Sequence, residues 1–350
     1  MTSTTPPQSE TPPDTPDEFL AMVIEMEEKR KSQHLPNRTN EQACRHCCEG
    51  IITSEGGPGQ PGNGLRAPLG WEEHHALQLA DEVQRSMRLG KDGFSLEQQE
   101  ACDAWDALCQ DGSANSMLRR LGREDGNAVD KEEMKHLIGI FSGIFFRTSS
   151  ADAHMSVSFR WRDWTNTSSR TGSCRLLGKK GLLPMIKMCA FKQAGAKAYG
   201  SLNGVALGRL GTLLHELVHA YLDYYACHCE DILDSYETNV MQLRGHGYAW
   251  QRIASSIEHA APEILGYPLD LHRFRTIKRE LNWKELKHWP SQEEVESWQL
   301  VDRVDGRTEE DSDNESTLSS PPDSDLEMAD PVDRPNDRSL IVILRLPRRV

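Results

Sequence analysis

The sequence LLHELVHAYL, residues 213 to 222, contains two histidines four positions apart with a glutamate beside the first. Residues four apart lie on one face of an α-helix, so the rings of His215 and His219 can bind one cation together. Glu216 lies about 100° away around the helix and is not a ligand, but it can act as a general base on a water at the metal. The motif therefore predicts a catalytic zinc site whose third protein ligand lies elsewhere in the chain.

The third ligand distinguishes the classes of HExxH protease. A metzincin would place a histidine at position 225, which is Tyr225 in this chain, so that class is excluded. A gluzincin would use a downstream glutamate, for which Glu237 is a candidate. His246 is favoured, because the glycines on both sides of it in GHGYAW let the backbone turn tightly and approach a metal. Both candidates stay open, and either one predicts a single catalytic Zn²⁺.

Together, HELVHAYL and GHGYAW resemble the zinc motifs of the SprT-like (Spartan-like) family of metalloproteases. FSGIFF, SVSFRW, TGSC and MIKMCAF resemble that family's helix, first strand, small-residue turn and edge strand, so the resemblance covers about residues 130 to 260. It implies that His215, His219 and His246 bind zinc and that Glu216 is the general base of a peptide-bond hydrolase. It further implies protein substrates that are crosslinked or tightly bound to DNA, with DNA as the activator.

Other clusters of cysteine and histidine depart from the family's pattern. The segment between the second and third histidines is longer than in compact relatives and contains Cys227, His228 and Cys229, which either bind a second metal or are unliganded. No zinc ribbon follows the catalytic region. A cluster near the N-terminus contains residue types that bind metal ions, but no second group of such residues matches it to complete a zinc site. Its members are Cys44, His46, Cys47 and Cys48.

Charge is unevenly distributed along the chain, whose formal net charge is −14. Residues 305 to 333 carry a net charge of −10, whereas residues 147 to 290 carry +6. The mildly basic region leaves DNA open as a partner. Trp161 and Trp164 lie in this region and either stack on unpaired bases or are half-buried strand residues. The basic residues near them are Arg160, Arg162, Arg170, Arg175, Lys179 and Lys180.

The N-terminal sequence does not resemble a secretory signal, and no apolar run is long enough to span a membrane. Nine cysteines at irregular spacing do not predict a disulfide framework, so a reducing compartment, the nucleus or the cytoplasm, is expected. Near the C-terminus, the apolar run from Leu340 to Leu344 follows an acidic, serine-rich stretch. This pattern resembles a SUMO-interacting motif; the alternative is a strand that docks on the chain's own core.

Periodicity predicts an α+β fold in which a small antiparallel sheet packs on the HExxH helix and flanking helices, with disordered termini. Strands are predicted at 155–161 and 183–191, with a short third strand between them, and an extended substrate is expected along an edge strand at 185–191. Helices are predicted at 19–31, 71–89, 95–108, 134–146, 211–225 and 245–257. The predicted regions are a largely disordered segment with one short helix (1–70), a helical extension (71–128), a SprT-like metalloprotease domain (129–301) and an acidic disordered tail (302–350).

These features predict a zinc-dependent endopeptidase acting on DNA-associated proteins. The alternative function is a non-proteolytic binding or scaffold module with a structural zinc ion. The intact Glu216 argues against that alternative, because a purely structural site does not need a general base.

Overall fold

The computed structural model describes these residues: 13–32, 72, 74–123, 125–146, 155–164, 171–175, 183–191, 202–228, 239–240, 245–281 and 289–300. The predicted tail at 302–350, including Leu340 to Leu344, lies outside them, as do Glu237, Cys229 and the CRHCC segment. Within the described ranges, no helix combines the length and the apolar character needed to cross a lipid bilayer.

Helices dominate the described chain, and they are accompanied by one three-stranded sheet. This architecture confirms the predicted α+β fold. The helices are α1 (Pro16–Ser32), α2 (Ala76–Leu89), α3 (Leu96–Gln110), α4 (Ser113–Leu121), α5 (Lys131–Phe146), α6 (Leu202–Tyr225), α7 (Tyr248–Leu265), α8 (Arg273–Glu280) and α9 (Gln292–Trp298). The strands are β1 (Ser158–Arg162), β2 (Gly172–Arg175) and β3 (Met185–Cys189).

Helices α3 and α5, which the sequence predicts at 95–108 and 134–146, each begin at a capping box. The Ser95 hydroxyl accepts a hydrogen bond from the backbone N–H of Gln98, whose side-chain oxygen accepts one from the Ser95 N–H. Asp130 and Glu133 make the equivalent pair of contacts before α5. Each box satisfies backbone donors that the first turn of a helix leaves unpaired, which explains why both helices start where they do.

The HExxH helix α6 begins at Leu202, well before the predicted start at Gly211. Several glycines in this segment lower its helix propensity, so the sequence favours a later start. Packing overrides that propensity, because a Cβ added to Gly211 would lie 2.1 Å from the carbonyl oxygen of Asp270. The missing side chain therefore lets α6 approach the backbone of the segment that leads into α8.

The sheet is mixed, whereas the sequence predicts an antiparallel one. Strand β3 lies in the centre, paired in parallel with β1 and antiparallel with β2. The segment 185–191 is therefore not an edge strand, and that prediction is wrong. The side chains of Ile186 and Met188 are at most 1% exposed, whereas Arg160 and Arg162 keep β1 in contact with solvent. Apolar strands favour the centre of a sheet, and short or charged strands favour its edges.

One hydrophobic core extends from α2 to the segment that precedes α8. The indole N–H of Trp105 in α3 also donates a hydrogen bond to the carbonyl oxygen of Leu265, at 3.2 Å. The helices predicted as an N-terminal extension therefore share their core with the helix that carries the HExxH motif. Fully buried members from both regions include Leu79, Trp105, Phe141, Leu217 and Trp250.

A second, smaller cluster joins α1 to α8 and α9. Phe19 of α1 packs with Ile277 of α8 and with Trp289 and Trp298 at the C-terminal end of the described chain. The Phe19 ring centroid lies 6.3 Å from that of Phe274 and 6.4 Å from that of Trp289. The short helix predicted near the N-terminus is thus confirmed, and α8 and α9 cover its apolar face.

Candidate metal centre

Three histidine side chains converge between α6 and the turn that precedes α7. Nε2 of His246 lies 2.9 Å from Nε2 of His215 and 3.0 Å from Nε2 of His219. The ligand atoms of all three lie within 4.8 Å of one another, and in the described part of the chain this is the one group placed to hold a metal ion. The fold therefore brings together the two histidines of the HExxH motif and the histidine of GHGYAW.

The outer nitrogens of two of these rings have partners that determine where the ring protons lie. Nδ1 of His215 lies 2.8 Å from the carbonyl oxygen of Leu271, and Nδ1 of His246 lies 2.8 Å from Oε2 of Glu280. Because a carbonyl and a carboxylate oxygen accept hydrogen bonds, both Nδ1 atoms carry a proton and donate it. In the neutral rings, two Nε2 lone pairs then face each other at 2.9 Å, and a cation between them removes the repulsion.

The nitrogen positions fit the size of a zinc ion. A tetrahedral Zn²⁺ with Zn–N bonds of about 2.0–2.1 Å separates its ligand nitrogens by roughly 3.3 Å. The two separations from His246, 2.9 and 3.0 Å, fall slightly short of this value, and the ligand atoms of all three residues lie within 4.8 Å of one another. Three histidines that leave a fourth position for water form a donor set of catalytic zinc sites. The residues present can therefore hold one metal ion.

Trp250 forms the apolar wall of the cluster. Its ring centroid lies 4.7 Å from those of His215 and His246 and 5.6 Å from that of His219, and its side chain is fully buried. Trp250 belongs to the first turn of α7, directly after the turn that carries His246. The same short segment thus supplies both a candidate ligand and an apolar wall beside the three rings.

Glycines on both sides of His246 are required by the backbone geometry. Gly245 has a φ of +99°, which strains any residue with a side chain, and an added Cβ would lie 3.2 Å from Cε1 of His219. A Cβ at Gly247 would lie 2.6 Å from the backbone of Asn239. Both positions therefore exclude larger residues. A side chain at position 245 would press on the ring of His219, and one at position 247 would clash with the backbone of Asn239.

The pKa values of His215 and His219 lie well below the ordinary histidine value. Burial is the main cause, because it disfavours the charged imidazolium, and repulsion from His246 acts in the same direction. Both rings are therefore neutral at pH 7. Neutral imidazole is the form that binds a metal ion.

Glu216 lies beneath strand β2. Its side chain is 5% exposed, and a Cβ added to Gly172 would lie 2.6 Å from its Oε1 and 2.6 Å from Cγ2 of Thr212. Burial, together with the nearby carboxylates of Glu216 and Asp223, raises the pKa of the Cys174 thiol well above its ordinary value. The carboxylate of Glu216 is thus confined between its own helix, α6, and strand β2. The thiol of Cys174 on β2 stays protonated at neutral pH.

No family model, curated protein or solved structure matches this chain. The chemistry of the site therefore follows from the chain's own residues. Those residues are three converging histidines, a buried glutamate on the same helix as two of them, and the groups that hold the rings.

Other residues singled out in the sequence have different surroundings. Cys227 is buried, and Nδ1 of His228 lies 3.3 Å from Oε1 of Glu72. The indole N–H of Trp161 donates a hydrogen bond to the carbonyl oxygen of Val129, at 2.9 Å, so this side chain is engaged in the fold. None of these three residues adds a ligand to the histidine cluster.

Sequence reasoning missed two groups that contact the cluster. The carbonyl oxygen of Leu271 and the carboxylate of Glu280 hold His215 and His246, respectively. Glu280 ends a basic helical segment, RFRTIKRE, in which a single acid resembles an ordinary surface ion-pair partner. A backbone carbonyl carries no signal in the sequence at all.

Proposed function

We propose that this chain is a zinc-dependent endopeptidase of the SprT-like type. The observation that carries the proposal is the convergence of three histidines: Nε2 of His246 lies 2.9 Å from that of His215 and 3.0 Å from that of His219, and the ligand atoms of all three lie within 4.8 Å of one another. When the rings of His215 and His246 are both neutral, their Nε2 lone pairs face each other, and a cation between them relieves the repulsion. The buried Glu216 on the same helix gives this metal site the acid–base group that peptide-bond hydrolysis needs.

Zinc, when bound, is a Lewis acid that activates water and polarises a carbonyl group at neutral pH. Glu216 takes the proton of the attacking water and passes it to the leaving amine. Trp250 excludes water from one side of the histidine cluster, and Leu271 and Glu280 keep two rings oriented through their Nδ1 atoms. The chain thus contributes proton transfer, orientation and an apolar wall.

The edge of β2 is the proposed binding site for an extended substrate. Among the described strands, β2 pairs with β3 alone, so its other edge is open to a further strand. A peptide that pairs with this edge lies beside Gly172 and thus beside the Glu216 carboxylate. This position replaces the one that the sequence predicts along residues 185–191.

The proposed substrates are proteins crosslinked or tightly bound to DNA in the nucleus. The net charge of +6 over residues 147 to 290 supports a contact with nucleic acid, and Arg160 and Arg162 lie together on β1. A partner of the SUMO type at Leu340 to Leu344 is proposed from the sequence of that segment. Both proposals concern the choice of substrate and leave the chemistry of the site unchanged.

The test of the protease proposal uses Glu216→Gln, with Glu263→Gln as a control that makes the same change at an exposed position on α7. Full-length proteins are incubated with a DNA–protein crosslink, with and without free DNA and with a chelator. We expect the wild type and Glu263→Gln to cleave the protein part and themselves in a DNA-dependent, chelator-sensitive way. Glu216→Gln is expected to retain zinc and to lose cleavage by a factor of about 100 or more.

Three other outcomes have distinct meanings. Zinc binding without cleavage in any protein would contradict the protease and favour the non-proteolytic scaffold module. Zinc content that falls in Glu237→Ala but not in His246→Ala would show a gluzincin-type ligand set instead. Cleavage retained in Glu216→Gln would remove that residue from the mechanism.

A further inference from the structure

Both hydrogen bonds that orient ligand rings come from one short segment, residues 271 to 280. Leu271 precedes α8 and its carbonyl oxygen holds Nδ1 of His215, whereas Glu280 ends α8 and holds Nδ1 of His246. The two ligands lie on different elements, α6 and the turn before α7. A single segment thus fixes the relative orientation of rings that the sequence places 31 residues apart.

Glu280 is buried to an extent that is unusual for a carboxylate. Its side chain is 5% exposed, and the side chain of its partner His246 is 7% exposed. Its second oxygen, Oε1, accepts a hydrogen bond from the largely exposed guanidinium of Arg279 at 2.5 Å. Because a buried carboxylate is stable only with charged or hydrogen-bonding partners, these two contacts fix its position.

Helix α8 is itself anchored by a buried ion pair. Nε of Arg273, in the first turn of α8, lies 2.7 Å from Oε2 of Glu258 on α7, and both side chains are at most 6% exposed. The other oxygen of Glu258 accepts a hydrogen bond from the backbone N–H of Leu271 at 2.7 Å. One carboxylate therefore holds the start of the segment, so Leu271 and Glu280 are presented from a fixed support.

We propose that Glu280 is a positioning residue for the metal ligand His246. Its carboxylate keeps the ring in the Nδ1–H tautomer, aims Nε2 at the metal position and makes that nitrogen a stronger donor. This inference rests on the proposed zinc site and adds a determinant of its affinity. Groups in this position of a histidine-bound metal site change affinity by about 10- to 100-fold when they are removed.

A competing explanation assigns Glu280 only a structural ion pair with Arg279. The two explanations differ in what Glu280→Gln does. A glutamine keeps the size of the side chain and can still accept a hydrogen bond, but it lacks the charge that strengthens the Nε2 donor. Under the ion-pair explanation, zinc affinity stays constant and only the stability of the metal-free protein changes.

The experiment measures zinc affinity of the full-length protein by competition with a chromophoric chelator. The variants are Glu280→Gln and Glu280→Ala, with Glu263→Gln as the matched control. We expect affinity to fall by about 10-fold in Glu280→Gln and by up to about 100-fold in Glu280→Ala, with no change in the control. Thermal unfolding of the metal-free proteins, followed by circular dichroism, tests whether each variant is folded.

A spectroscopic readout separates positioning from folding. In the cobalt-substituted protein, visible absorption bands report the geometry and donor strength of the ligands. We expect both Glu280 variants to shift or weaken these bands, and Glu263→Gln to match the wild type. Zinc affinity within about twofold of the wild type in Glu280→Gln, with unchanged cobalt bands, overturns the inference.

The proposed function and this inference fail in different ways. A wild type that binds no zinc, or a His246→Ala variant that binds it as tightly as the wild type, overturns both. Zinc binding that depends on Glu280 in a protein without proteolytic activity contradicts the protease proposal alone. Zinc binding that is indifferent to Glu280 in an active protease contradicts the positioning role alone.

Discussion

At the scale of single residues, two glycines contact two different parts of the site. Gly172 on β2 lies against the carboxylate of Glu216, whereas Gly245 lies against the ring of His219. One glycine therefore makes room for the proposed general base and the other for a proposed ligand. Replacing either glycine by alanine adds the same methyl group, so each variant provides a control for the other.

Gly172→Ala is expected to reduce proteolysis by about 100-fold while leaving zinc affinity unchanged, because its Cβ would press on Glu216 and Thr212, neither of which is a proposed ligand. Gly245→Ala is expected to weaken zinc binding by about 10-fold, because it combines backbone strain with a contact on His219. Chelator competition and a peptide-cleavage assay on both variants measure the two effects. Loss of zinc in Gly172→Ala, or normal zinc affinity in Gly245→Ala, contradicts the assignment of Gly172 to the general base and of Gly245 to a metal ligand.

At the scale of elements, helix α1 completes a hydrophobic cluster with the two helices that close the described chain. Phe19 is fully buried there between Phe274 of α8 and Trp289. Polar contacts add to it, since Nζ of Lys278 lies 2.5 Å from Oδ1 of Asp14. The cluster thus couples the N-terminal helix to the element that carries Glu280.

Phe19→Ala is expected to lower the free energy of unfolding of this cluster by about 3 kcal/mol, because it leaves a cavity among buried aromatic rings. Glu28→Ala, at an exposed position of α1, is expected to change it by no more than about 0.5 kcal/mol. Hydrogen exchange of the amides in α8 and α9, measured by mass spectrometry, reports the difference. Equal exchange in the two variants would show that α1 does not support α8.

The elements also show what the sequence can and cannot predict. Capping residues and apolar periodicity predict α3 and α5, because those signals are local. The position of β3 between β1 and β2 is not predictable from neighbouring segments, since it depends on which strand buries most surface. The HExxH histidines are found by their spacing and His246 by its glycines. The contact between Glu280 and His246 spans 34 residues and leaves no pattern in the sequence.

At the scale of the whole molecule, the buried histidines link stability to pH. The pKa values of His215 and His219 are lowered in the folded chain, whereas the unfolded chain has the ordinary value of 6.5. Below about pH 6.5 the unfolded state therefore binds more protons, and the free energy of unfolding falls as the pH falls. Above this pH the two groups are neutral in both states and their contribution to stability is fully present.

We expect the metal-free protein to lose up to about 1.4 kcal/mol of stability per pH unit for each of these histidines as the pH falls from about 6.5 towards 5. Denaturation by urea after removal of metal, at a series of pH values, measures the slope. The double variant His215→Gln/His219→Gln is expected to flatten it, and His136→Gln, at an exposed position, is expected to leave it unchanged. A slope that persists in the double variant would show that other groups cause it.

The packing of α1 against α8 and α9 has a consequence for synthesis of the chain on the ribosome. Phe19 is made early, but Trp289 and Trp298 follow it by roughly 280 residues, which at about 5–20 residues per second corresponds to tens of seconds. During that interval the apolar face of α1 has none of these partners. Glu280 follows His215 by 65 residues and His246 by 34, so the histidines emerge before the carboxylate that orients one of them. The site therefore matures only after Glu280 has been made, later than all three candidate ligands.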